Sequence, residues 1–397
     1  MQERRYDVDW LRVVGTLAIL LFHCSRFFDT EGWALKNEGQ SLVLELVRGA
    51  VIWPWVMELF FLLSGVGSWF ALRRRTGGRY LWERVKRLLL PLYTVGLFLL
   101  LPPQFYFHLV TNEGFTGTFW EALRVYVGRL GRFSLAWPGG LLPVPYVGHL
   151  WFLQFLFLIS LVTLPLILYL RSEGGRRVIE RLAGWCDRWG GPLLFVLPIA
   201  VVLIALRHLF PGDPTWADLV YYAVFFLIGY IVPADRRFTE SFIRHRWVCL
   251  VLWLLAVSGQ GVFIALLGYQ MGAEPFSLTY VLYQIVVSVL SWSAVVCMLS
   301  LGVKRLSFNH KILAYANEAA LPFYLLHQTI ILCVGWLVIR WDLGILLKYL
   351  IVAVVSFPLI LLLYELFVRR SGAVRFFFGM RPLRRESKKK PSKSPVT

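Results

Sequence analysis

The residues best able to do chemistry in this sequence sit where an apolar run should exclude them. Asp9, Arg12 and His23 share one stretch otherwise rich in Leu, Val, Ile and Phe, with Arg26 just beyond. On a helix turning about 100° per residue, Arg12 and His23 differ by roughly 20° in azimuth, and Asp9 and Arg26 widen the stripe to roughly 100°. His23 then lies about 16 Å along the axis from Arg12. Histidine exchanges protons near neutral pH, and guanidinium groups pair with phosphates bidentately. Plainer alternatives are snorkelling anchors for Arg12 and Arg26 and an interhelical hydrogen bond for His23. Because an ionisable group inside an apolar span is costly, each marks a candidate site.

Further candidates follow along the chain. Glu58 stands in Trp55-Val-Met-Glu58-Leu-Phe-Phe-Leu-Leu-Ser64-Gly65. It is expected at a depth near that of His23 and needs a partner, which His23 or an arginine would supply. Ser64 and Gly65 read either as site residues or as a close-packing pair. The run from Arg73 through Arg79, Arg84 and Arg87 to Pro91 offers a docking surface for a phosphate-rich soluble donor, or simply charge on one side of a membrane. His149 and Trp151 open a later apolar span, one as a candidate for an acceptor site and the other as an aromatic-belt anchor. His327 and Gln328 fall near the middle of another span, where a structural hydrogen bond competes with a site role.

These residues need a membrane bundle to position them. Of the 397 residues 58% are hydrophobic and 16% charged, against about 45–50% and about 25% in a soluble domain. Apolar runs long enough to cross about 30 Å of hydrocarbon recur ten times, near 10–28, 49–71, 88–110, 148–170, 191–207, 217–234, 247–268, 277–302, 319–339 and 344–368. The stretches around 191–207 and 217–234 are separated by only a short Pro-containing loop. An all-α, polytopic bundle of about ten helices is therefore expected. With the N-terminus inside, most of the 41 Lys and Arg fall in inside segments, so both termini are placed on the cytoplasmic side. The first span is too long for a cleaved leader and lacks a small-residue cleavage site. The net charge of +18 clusters between spans and in the tail, which argues against nucleic acid. Residues 1–370 are expected to form the membrane domain and 371–397 a basic, disordered tail. No Cys/His spacing suggests a metal, and the five cysteines predict no disulfide.

Taken in order, the motifs resemble those of the acyltransferase-3 family of integral membrane O-acyltransferases. Arg12 and His23 are similar to its Arg-x10-His signature. Phe60-Phe61-Leu-Leu-Ser64-Gly65, Arg73, Arg84-x-x-Arg87 and Pro91 resemble a second block, and His149-Leu-Trp151-Phe152 and Tyr324-Leu-Leu-His327 later ones. The starts at Tyr6 and Phe22 are most similar to the glucan-modifying branch, which includes osmoregulated-glucan succinyltransferases. The resemblance implies transfer of an acyl group from acyl-CoA, acetyl or succinyl, to a carbohydrate hydroxyl at a bacterial inner membrane. On that reading His23 is the general base and Glu58 its orienting carboxylate. Arg12, Arg73, Arg84 and Arg87 hold the donor. Asp9, Ser64, His149, Trp151 and His327 surround the acceptor. The competing class is a secondary transporter of an acylated glycan or organic anion, which would release no CoA.

Overall fold

A computed structural model describes residues 5–132, 138–142, 144, 146–267 and 274–382. Among these the secondary structure is helical throughout, with no strand. In chain order the helices are α1 (Tyr6–Ser25), α2 (Leu42–Leu72), α3 (Gly77–Asn112), α4 (Phe119–Gly128), α5 (Gly148–Val162) and α6 (Leu164–Leu170). There follow α7 (Glu173–Cys186), α8 (Gly191–Leu206), α9 (Trp216–Ala234), α10 (Arg236–Arg244) and α11 (Arg246–Leu267). The last are α12 (Leu278–Arg305), α13 (Lys311–Val338), α14 (Ile345–Val368) and α15 (Gly372–Phe377).

Eight of these are long and apolar enough to cross a membrane, and α5 with α6 makes a ninth as one span bent by 50°. The bend falls where Pro165 withholds a backbone donor. The remaining expected span corresponds to α8, which is apolar but shorter. The chain is thus an integral membrane protein built as a helical bundle.

Helix α1 runs through the bundle and packs against α2, α12, α13 and α14. It buries Leu11, Ile19, Leu20 and Phe22. The expected close packing at Gly65 is present. A Cβ there would stand 2.0 Å from the Phe226 carbonyl oxygen, and one at Gly229 would stand 1.9 Å from that of Leu62. The backbones of α2 and α9 therefore touch, as small residues permit in lipid.

Two segments read from sequence as basic loops are short amphipathic helices. α7 turns Ile179, Ala183 and Cys186 inward and α10 buries Phe238 and Phe242, while their arginines remain outside. Order also continues past the expected boundary at 370. α15 and the turn after it pack onto the bundle as far as 382, while residues 383–397 of the basic tail lie outside the described residues.

Candidate active site

The two ends of α1 carry different chemistry. Towards its C-terminus the half-buried ring of His23 lies 5.0 Å, centroid to centroid, from His327 of α13. His327 in turn lies 4.7 Å from His149 at the start of α5, edge to face. Trp33, from the loop after α1, stacks on His23 at 6.0 Å with 18° between the rings. Three histidines far apart in sequence thus meet under one indole.

Their hydrogen bonds separate their roles. His327 is fully buried, and its Nδ1 sits 2.6 Å from the Tyr324 carbonyl oxygen. A carbonyl only accepts, so Nδ1 carries the proton and the neutral ring keeps its lone pair on Nε2. That Nε2, like Nδ1 of His23, is buried with no hydrogen-bond partner among the described residues. Buried polar atoms left unpaired are rare and ask for an explanation, of which a catalytic role is one.

His149 is differently placed. Its Nε2 donates to the carbonyls of Tyr324 and Leu325 at 3.1 and 3.2 Å. Its Nδ1 faces Gln104 Oε1 at 3.4 Å. The Gln104 amide nitrogen donates to Leu100 O and Thr329 Oγ1, which fixes the amide with its oxygen towards His149. Tyr324 returns a hydrogen bond from its hydroxyl to the His149 carbonyl. The Nε2–H of His149 is thus committed to backbone carbonyls, and the acceptor-site role expected of it stays a proposal. It is a buried strut that ties α5 to α13 beside His327. Among the described residues no group of three or more His, Cys, Asp or Glu could hold an ion.

Glu58 has a different partner from the His23 expected for it. Tyr221 of α9 donates its hydroxyl to Glu58 Oε1 at 2.9 Å, and Oε2 is buried without a partner, so the carboxylate does not orient His23. The azimuth of Glu58 on α2 turns it to α9, which the sequence of α2 alone does not reveal. Between the two groups runs an aromatic wall. Tyr222 stacks on Phe61, Phe61 meets Phe152, and Phe152 meets Tyr324. Trp151 belongs to this wall, against Phe61, Phe155 and Tyr222.

The loop bearing Trp33 is held by a compact ion network. Asp29 is fully buried and pairs with Arg26 at 2.7 Å, Lys36 at 2.6 Å and Arg48 at 3.0 Å. Glu31 binds Arg26 and Arg48 a second time, at 2.6 and 3.0 Å. Burial pushes the Glu31 carboxyl up, but the charges of Arg48 and Arg26 outweigh it and hold it below its usual value. Arg26 is therefore a buried member of this network rather than a snorkelling anchor.

At the other end of α1, Arg12 reaches Asp9 at 3.4 Å and Asn317 Oδ1 at 3.3 Å. Arg84 donates to Ser68 Oγ at 2.7 Å, Tyr80 at 3.1 Å and the Ser64 carbonyl at 3.4 Å. Ser64 thus contributes its backbone here. Arg12, Arg84 and Arg87 lie within electrostatic range of one another, and among the described residues neither Arg84 nor Arg87 forms an ion pair with a carboxylate. Clustered cations without counter-charges are unfavourable alone and suit an anionic ligand. Arg73 is not gathered with them. It lies over Trp69 and lines a different cavity of about 550 Å³, with Arg171, Arg176, Glu180 and Asp235.

A family model described as an acyltransferase domain matches residues 5–365, nearly the whole described chain. The chain belongs to the acyltransferase-3 family. It is similar to "Glucans biosynthesis protein C" of Salmonella schwarzengrund, 25% identical over 397 residues, and to the protein of the same name in Salmonella typhimurium, 24% identical over 396. In both cases 97% of each chain is covered. No solved structure matches. Sequence reasoning named His23, Glu58, His149, His327 and the arginines as candidates but did not name Trp33, Gln104 and Tyr221, which the structure places beside them. Gln104 left a trace as an amide in an apolar span, whereas Trp33 and Tyr221 look like ordinary interfacial aromatics.

Proposed function

We propose that this acyltransferase moves an acetyl or succinyl group from acyl-CoA to a hydroxyl of a glucan at a bacterial inner membrane, with both termini in the cytoplasm. The observation that carries the reading is the polarity of α1. A cluster of three arginines, of which only Arg12 is paired with a carboxylate among the described residues, stands at one end, and a histidine pair with two unpaired nitrogens about 16 Å away. The glucan acceptor rests on the name of the Salmonella relatives.

In this reading Arg12, Arg84 and Arg87 hold the donor phosphates, and the pantetheine arm extends along α1. His23 acts as the base, because it is the less enclosed of the two, His327 being fully buried. The acceptor oxygen attacks the thioester carbonyl as His23 takes its proton. The C–S bond then breaks, and the thiolate leaves with that proton as CoA. His327, fixed as the Nδ1–H tautomer, adds no positive charge beside the imidazolium. Trp33 closes the site towards the side that the acceptor approaches.

Thiol release from acetyl-CoA and succinyl-CoA, measured on purified protein with glucan present, tests this. Release by the wild type and its loss in His23→Ala is expected and names the donor. A folded wild type that releases no thiol overturns the reading in favour of transport.

A further inference from the structure

The cationic cluster has a fourth contributor from beyond the last membrane helix. Arg375 of α15 is buried, and its guanidinium pairs with Glu318 of α13 at 2.6 Å. The same guanidinium donates from Nε to the carbonyl of Arg381 at 3.1 Å, and the Met380 amide returns to the Arg375 carbonyl at 2.9 Å. The reversal needs Gly379, whose φ of +66° suits glycine. A Cβ there would also stand 2.9 Å from the Arg87 carbonyl oxygen and 3.1 Å from that of Lys86. Thr94 Oγ1 holds the Phe377 carbonyl at 3.2 Å. The segment is thus tied to α13 by the Arg375–Glu318 ion pair and held against α3 by the Thr94 hydrogen bond and the close approach of Gly379 to the backbone of Arg87.

What this hook presents is Arg381. Its side chain is exposed, lies within electrostatic range of Arg87, and has no hydrogen-bond or ion-pair partner among the described residues. Holding one more guanidinium near Arg87, itself in range of Arg12 and Arg84, adds to the repulsion in the cluster, and a bound polyanion relieves it. We propose that residues 372–382 form one wall of the donor site and that Arg381 is a fourth guanidinium on the CoA phosphates. This rests on the acyl-CoA reading above.

The test is equilibrium binding of CoA to the full chain in detergent, with pantetheine as the phosphate-free probe. Arg381→Gln should weaken CoA about tenfold, as loss of a charge-assisted hydrogen bond does. It should leave pantetheine binding and thermal stability unchanged, because the replaced group has no partner in the fold. Arg384→Gln, three residues on, controls for general charge. CoA affinity unchanged in Arg381→Gln but lowered in Arg87→Gln overturns the proposal and leaves the donor reading standing. Equal weakening by Arg384→Gln also overturns it, since the effect would then belong to tail charge. A wild type that binds no CoA removes the donor reading itself.

Discussion

His23 and His327, separated by most of the chain, place their rings 5.0 Å apart, and each has one buried nitrogen without a partner. One ring is partly accessible and the other enclosed with its tautomer fixed by Tyr324, so the pair is asymmetric. A site built this way has one group that meets substrate and one that shapes its surroundings.

Removing either ring should therefore cost turnover rather than folding. His23→Ala and His327→Ala are each expected to lower kcat at least about 100-fold. The double variant should be little worse than the single ones, because the residues act as a unit. Thiol-release kinetics on samples of matched thermal stability check this, and full multiplicativity of the two losses would separate their roles.

Glu58 and Tyr221 make a different prediction. Glu58→Gln keeps an oxygen that accepts the Tyr221 hydroxyl and should retain both fold and turnover. Tyr221→Phe strands a buried carboxyl group and should destabilise the protein by about 1–3 kcal/mol. Melting curves and activity of the two variants decide. Turnover as low in Glu58→Gln as in His23→Ala would restore the carboxylate to the catalytic set.

At the crossing of α2 and α9, the Gly65 and Gly229 positions leave no room for a methyl group against a backbone carbonyl. Alanine at either site forces the helices apart, and a loss of about 1–3 kcal/mol or more is expected. Gly67→Ala, on the same helix with open space around it, should be nearly silent. The melting temperatures of the three variants are the measurement.

The loop carrying Trp33 should be sensitive to acid. Glu31 titrates below its usual value in the folded state, so its contribution is present above the unfolded value and lost as pH falls through the folded one. Acidification below the ordinary glutamate range should release the loop. Asp29→Asn should loosen it at neutral pH, since among the described residues Lys36 then loses its only carboxylate and Arg26 and Arg48 keep only Glu31. Trp33 fluorescence, followed against pH in both proteins, reports the change.

The sequence by itself determined the membrane bundle, because hydrocarbon thickness sets the length of every apolar run. It also singled out Arg12 and His23, since ionisable groups in such runs are too costly to be incidental. The tertiary structure decided which residues share a site. Glu58 turns to α9 and Tyr221, Arg73 lines another cavity, and His149 commits its Nε2–H to the backbone of α13. The hook from Arg375 to Arg381 was likewise illegible in a basic tail. Periodicity gives a residue's depth and face within its own helix, but its partner depends on how the helices rotate against one another. Contacts such as Gly65 on Phe226 and Gly379 on Arg87 set that rotation, and they are made between segments whose order in the chain carries no record of it.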